Sequence, residues 1–100
     1  MQRLTRTVTR ALLVFLAEPR SWRYGYDLMK VARLSSGTLY PLLARLSDDG
    51  WLESRWQQSE FPGKPPRQLY RLTATGRVEA RHALERAQTS WLRLPVALET

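Results

Sequence analysis

Apolar residues recur through the first half of the chain at the spacing of a single helix face. Val8, Ala11, Leu12, Phe15 and Leu16 mark a helix over Thr7 to Glu18, widened by Leu13 and Val14 and ended by Pro19. After the Pro19-Arg20-Ser21 break, Tyr24, Leu28, Val31 and Ala32 fall at i, i+4, i+7 and i+8. They predict a second helix over Tyr24 to Ala32, with Lys30 and Arg33 off its stripe. A four-residue turn, Leu34 to Gly37, leads to the cleanest period in the chain, Leu39, Leu42, Leu43 and Leu46, which Asp48-Asp49-Gly50 stops. Pro41 fixes where this third helix starts. With Ser36 or Thr38 as the cap, the proline lies in or just after the first turn, where a missing N–H costs little.

The pattern then changes. Trp51 to Gln57 and Arg67 to Leu72 alternate well enough for two short strands. Gln58 to Pro66 between them, with Phe61-Pro62-Gly63-Lys64-Pro65-Pro66, reads as an exposed hairpin tip. Thr73 can cap a last helix that runs to about Leu94, where Pro95 prevents extension. On that helix Ala80, Leu84, Ala87, Trp91 and Leu94 are spaced 4, 3, 4 and 3, an a/d seam suited to a second protomer. The expected fold is mainly α with a two-stranded β-wing, a winged helix-turn-helix followed by a C-terminal dimerisation helix. Residues 1–72 form the winged unit, opened by a basic arm over 1–6; residues 73–94 form the dimerisation helix, and 95–100 a tail.

Composition narrows the partners. One hundred residues make one domain with a thin core, which favours dimerisation. With no cysteine, disulfides, thiolate metal ligands and zinc fingers are excluded. The longest apolar run, Ala11 to Ala17, falls well short of the roughly 20 residues of a membrane span, so the expectation is a soluble, cytoplasmic protein without a membrane partner. Sixteen Lys and Arg against nine Asp and Glu give +7 and a pI near 10.8, which suits nucleic acid or an acidic membrane surface. Fourteen of those cations are Arg, whose planar fork suits phosphate and guanine; codon bias gives the same count.

With its leucines turned inward, the third helix presents Thr38, Pro41, Arg45 and Asp48 on the opposite face and Tyr40 on the flank. Ser35, Ser36, Thr38 and Tyr40 are placed for phosphate or base-edge contact, and Arg45 for phosphate or guanine. The competing roles are capping for Ser36 and Thr38, and packing on the wing for Tyr40. Asp48 and Asp49 read as a helix stop, since phosphate repels carboxylates. At the wing, Lys64 and Arg67 flank prolines that hold the backbone extended, aiming cations at a minor groove or phosphate. Arg71, Arg77, Arg81, Arg86 and Arg93 read as a wet surface, some pairing with Glu79 or Glu85. Trp51 and Trp56 read as wing-core residues, and Trp91 as part of the seam.

Four segments, Tyr24-Gly25-Tyr26-Asp27-Leu28, Ser36-Gly37-Thr38-Leu39-Tyr40-Pro41-Leu42-Leu43-Ala44-Arg45-Leu46, Gly50-Trp51-Leu52-Glu53-Ser54 and Pro65-Pro66-Arg67-Gln68-Leu69-Tyr70-Arg71-Leu72-Thr73-Ala74-Thr75-Gly76, together resemble the PadR family of transcriptional regulators. The resemblance implies a homodimeric repressor of double-stranded DNA, with helix three in the major groove, the wing beside it, and the last helix in the dimer interface. It places Thr38 and Tyr40 in the recognition helix and Lys64 in the wing. It also makes Trp91 a candidate wall for a small aromatic effector bound between protomers. Longer relatives continue past one C-terminal helix, so a dedicated effector domain is not expected here.

Two other function classes compete. An enzyme is disfavoured, because His82 is the only histidine and the carboxylates are scattered; no catalytic residue, metal site or cofactor is expected. The alternative is a winged-helix protein-interaction module without direct DNA reading, from which DNA binding that weakens steeply with salt distinguishes a regulator.

Overall fold

The computed structural model of the chain describes residues 4–92, with side-chain surroundings as far as Ala87. Helix α1 (Arg6–Ala17) is capped by Thr5, whose hydroxyl accepts from the Val8 N–H at 3.2 Å. Arg6 is therefore helical and does not belong to a basic arm; Arg3 lies outside the described residues. Val8, Ala11, Leu12 and Phe15 are buried and Leu16 packs at their margin, while Leu13 is exposed, so the stripe is narrower than its composition implied.

The two-residue strand β1 (Arg23–Tyr24) leads directly into α2 (Gly25–Ala32). Tyr24 is extended, at φ −76° and ψ 143°, and precedes the helix. Leu28 and Ala32 face the core, but Val31 does not. The turn to the next helix has three residues, not four. Arg33 adopts the left-handed conformation that ends α2, Leu34 is buried, and Ser35 takes the N-cap position of α3 (Ser36–Asp48). The expected caps, Ser36 and Thr38, are thus inside the helix, and Pro41 is its sixth residue. There it removes the N–H that the Gly37 carbonyl would otherwise receive.

Leu39, Leu42, Leu43 and Leu46 are each no more than 1% exposed, as their period requires. The helix closes at the Asp-Gly stop. The Trp51 N–H reaches the Leu46 carbonyl at 2.9 Å, and the Gly50 N–H reaches the Ser47 carbonyl at 3.0 Å. Gly50 sits at φ 79°, the left-handed position this termination needs and that glycine adopts without strain.

Strands β2 (Leu52–Gln57) and β3 (Arg67–Leu72) pair antiparallel from Leu52↔Leu72 to Gln57↔Arg67. The expected two-stranded wing is a three-stranded sheet, because β1 pairs with the free edge of β3 in the order β1-β3-β2. The tip turns at Pro62-Gly63, with Gly63 at φ 84° and the Lys64 N–H on the Phe61 carbonyl. Leu52, Tyr70 and Leu72 face the core. Trp56, on the same side of β2, projects past the core edge and is 63% exposed, so it is not a wing-core residue.

Thr73 joins the wing to α4 (Ala74–Leu92). Its N–H donates to the Trp51 carbonyl at 2.9 Å, its hydroxyl donates to the Gly50 carbonyl at 2.6 Å, and the same oxygen caps the Gly76 N–H. Gly76 rests on the Trp51 backbone so closely that a Cβ there would overlap the Trp51 carbonyl. Ala80 and Ala83 then enter the chain's own core, with Leu84 packed against it. Ala80 has no surface left for a partner, which removes it from the expected dimer seam.

Since the obstacle at Gly76 is backbone and cannot rotate away, Gly76→Ala should cost about 1–3 kcal/mol or more in chemical denaturation. A variant as stable as the parent would contradict the close docking of α4 on Trp51.

Candidate nucleic-acid interface

Burial of the leucines leaves Ser36, Gly37, Thr38, Pro41, Arg45 and Asp48 exposed along the other side of α3. The first turn carries no acidic residue and no side-chain cap. The N–H groups of Thr38 and Leu39 turn back to the Ser35 carbonyl, at 3.1 and 2.9 Å, whereas those of Ser36 and Gly37 lie ahead of any intrahelical acceptor. Together with the helix dipole they favour an anion. Ser35 Oγ donates to Thr38 Oγ1 at 3.2 Å, which leaves the Thr38 hydroxyl its own proton to donate outward. At the Pro41 break, the Gly37 carbonyl adds an acceptor on this exposed side.

Tyr40 is packed on one side and open on the other. Its hydroxyl lies over Gly25 at the start of α2, where an added Cβ would come within 2.7 Å of it, and 44% of the residue remains exposed. Glycine at position 25 is what lets the ring cross between the helices. Behind it, burial raises the Tyr70 phenol above its ordinary pKa and the nearby Tyr40 adds to the shift, so Tyr70 is a neutral donor to Gln68 Oε1 at 3.0 Å.

The wing's cations rest on aromatic rings. Lys64 Nζ is 5.3 Å from the centre of the Phe61 ring, and the Arg67 guanidinium is 5.1 Å from that of Tyr24, whose hydroxyl donates to Gln57 Oε1 at 2.7 Å. On the same sheet face, Trp22 has Arg55 at 4.5 Å and Arg71 at 4.3 Å from its ring centre. Arg71 also pairs with Glu53 at 2.8 Å across the strands, so it is anchored to the sheet and is not a loose solvated charge. Among the described residues no ion pair joins α4's arginines to Glu79 or Glu85, contrary to expectation. Arg45, Lys64 and Arg67 are exposed, and no ion pair among the described residues occupies them.

A groove of about 520 Å³ connects the helices with the wing, bordered by Tyr26 and Asp27 of α2, Tyr40 of α3, and Trp56, Arg67 and Gln68 of the sheet. Sequence reasoning had singled out neither Tyr26 nor Trp56 for this face. Of the C-terminal seam, Leu84 and Ala87 are half-buried, the Trp91 side chain has no described surroundings, and Leu94 lies outside the described residues.

This arrangement of helices and wing agrees with a family model, the transcriptional regulator PadR-like family, which matches residues 12–82. The chain belongs to the PadR-like family of transcriptional regulators. A PadR-like transcription factor from Bacteroides fragilis is 35% identical over 84% of this chain and 81% of its own, with a TM-score of 0.65. Reduced AbfR bound to DNA is 26% identical over 92% of this chain and 60% of its own, TM-score 0.66. Bacillus subtilis PadR in complex with operator DNA shares the fold at 23% identity and TM-score 0.65, over 83% of this chain and 49% of its own. Against these two DNA-bound structures, the PadR-like chain spans about half to three-fifths of the relative's length. A comparison with curated protein sequences found no match. Among the described residues no helix is long and apolar enough to cross a membrane.

The PadR-like interface separates surface from core at adjacent positions. Arg45→Ala and Lys64→Ala should each weaken duplex binding while changing folding stability by no more than about 0.5 kcal/mol, because both side chains are exposed. Leu46→Ala, one residue from Arg45, should cost about 2–5 kcal/mol. Gel-shift titration alongside thermal unfolding checks the contrast.

Proposed function

We propose that this PadR-like regulator is a cytoplasmic, homodimeric repressor that reads a duplex operator with α3 and grips the flanking backbone with the wing. The observation that carries the reading is the shared groove. Tyr40 of α3 and Arg67 of the wing border one cleft, which supports a joint approach of the α3 face and the wing to one duplex. Ser35, Ser36, Thr38, Tyr40 and Arg45 are the reading set, and Lys64 and Arg67 are the clamp. That a structural neighbour of the same fold is solved bound to DNA supports duplex binding as such.

Dimerisation falls to the far part of α4. The last described core residues on this helix are Ala83 and Leu84, yet the helix continues to Leu92. Leu84, Ala87, Trp91 and Leu94 keep the 3, 4, 3 spacing of an a/d seam, which supports packing against the same helix of a second copy. A small aromatic effector between protomers, with Trp91 as its wall, is the corresponding proposal for sensing.

Salt titration of binding to a duplex from the gene's own upstream region tests the reading. If Arg45, Lys64 and Arg67 of both protomers each displace one counterion, log K should fall with log salt at a slope of about −5. Absent or salt-insensitive binding would favour a protein-interaction module. In sedimentation, Trp91→Ala should weaken the dimer at least about tenfold, the loss of one interface anchor. An unaltered dimer would remove Trp91 from the seam.

A further inference from the structure

Two large aromatic side chains on the groove between the wing and the helices are left without a structural role: Tyr26 is 64% exposed and Trp56 is 63% exposed. Neither belongs to the core or to the reading set. Exposed aromatic surface gathered in one concavity marks an interaction site more often than chance exposure does.

The chemistry of the groove selects its occupant. Several of its polar groups can donate, the Tyr26 and Tyr40 hydroxyls and the Gln68 amide, and Arg67 borders it. Gln68 is held by its neighbours, since its amide nitrogen donates to Ser54 Oγ at 3.3 Å while its oxygen accepts from Tyr70. Lys30 Nζ lies 5.4 Å from the centre of the Tyr26 ring and brings a further cation to that wall. The carboxylate on the groove, Asp27, sits in the first turn of α2, where the helix dipole favours it; its charge repels phosphate, so a strand lies on the side of the groove away from it. Apolar ring faces joined to donors and cations match a sugar–phosphate strand, with the deoxyribose against the rings and the phosphate oxygens on the donors. The bases of a duplex stay stacked on one another and do not offer their faces to such a groove.

We infer that the groove seats one strand of the duplex backbone, with Tyr26 and Trp56 as walls that position the DNA without reading its sequence. The inference rests on the DNA-binding reading and adds two residues to it. Such walls act differently from the helix and from the cations. An apolar contact with deoxyribose releases no counterion and discriminates no base pair, so its loss lowers all affinities alike.

The test uses a duplex selected by the wild-type protein from a random pool, together with its scrambled version. Trp56→Ala and Tyr26→Ala should each weaken binding to both duplexes by about tenfold, with the ratio of the two affinities and the salt slope unchanged. Trp56→Phe, which keeps a ring, should restore most of the loss. Arg67→Ala should instead reduce the slope by about one per protomer. Wild-type affinity of both alanine variants for both duplexes would overturn the inference. So would a loss confined to the selected duplex, which puts the rings at base edges. Failure of the wild-type protein to enrich any duplex from the random pool would remove the DNA-binding reading itself, and the groove's role with it.

Discussion

Burial of four leucines on one side of α3 decides what the chain can show to a partner. Leu39, Leu42, Leu43 and Leu46 close on Leu12, Phe15 and Leu28, and this leaves the helix no freedom to rotate. At 100° per residue, fixing the leucines also fixes Thr38, Pro41 and Arg45 on the outside. The exposed face needs no support of its own. It is held by a core whose single leucine truncations cost several times what a surface substitution does.

From that helix the constraint passes through backbone contacts. Trp51 accepts from Thr73 while donating to Leu46, so the end of α3, the base of the wing and the start of α4 meet at one residue. Thr73 and Gly76 complete the junction, the first by hydrogen bonds to two carbonyls and the second by having no side chain. The wing therefore leaves the core at a set angle, and the groove between Tyr40 and Trp56 has a defined width. One piece of backbone thus aligns α3 with the wing, the parts proposed to read and to clamp DNA.

Much of this was legible in the sequence, for identifiable reasons. Helical period found the leucines of α3, the Asp-Gly pair found its end, Thr73 found the cap of α4, and β3 was bounded at both ends. What escaped depended on long-range contacts. Strand β1 is two residues long, too short to show alternation, and exists because β3 offers an edge. Ala80 matched a seam by spacing, yet spacing alone cannot tell a partner helix from α1 of the same chain. Trp56 was read as core because tryptophan usually is, whereas the strand carries it beyond the core edge. The α3 start moved to Ser36 because the Ser35 carbonyl collects two N–H groups, a choice no side chain announces.

An NMR titration of the labelled protein with its selected duplex would examine the division into buried and presented faces residue by residue. Amide shifts should concentrate at residues 35–45 and at the wing loop 58–67, with α1 and the surface around His82 unchanged. Shifts centred on α1 or on the outer face of α4, with the start of α3 silent, would contradict the assignment of α3 and the wing to DNA.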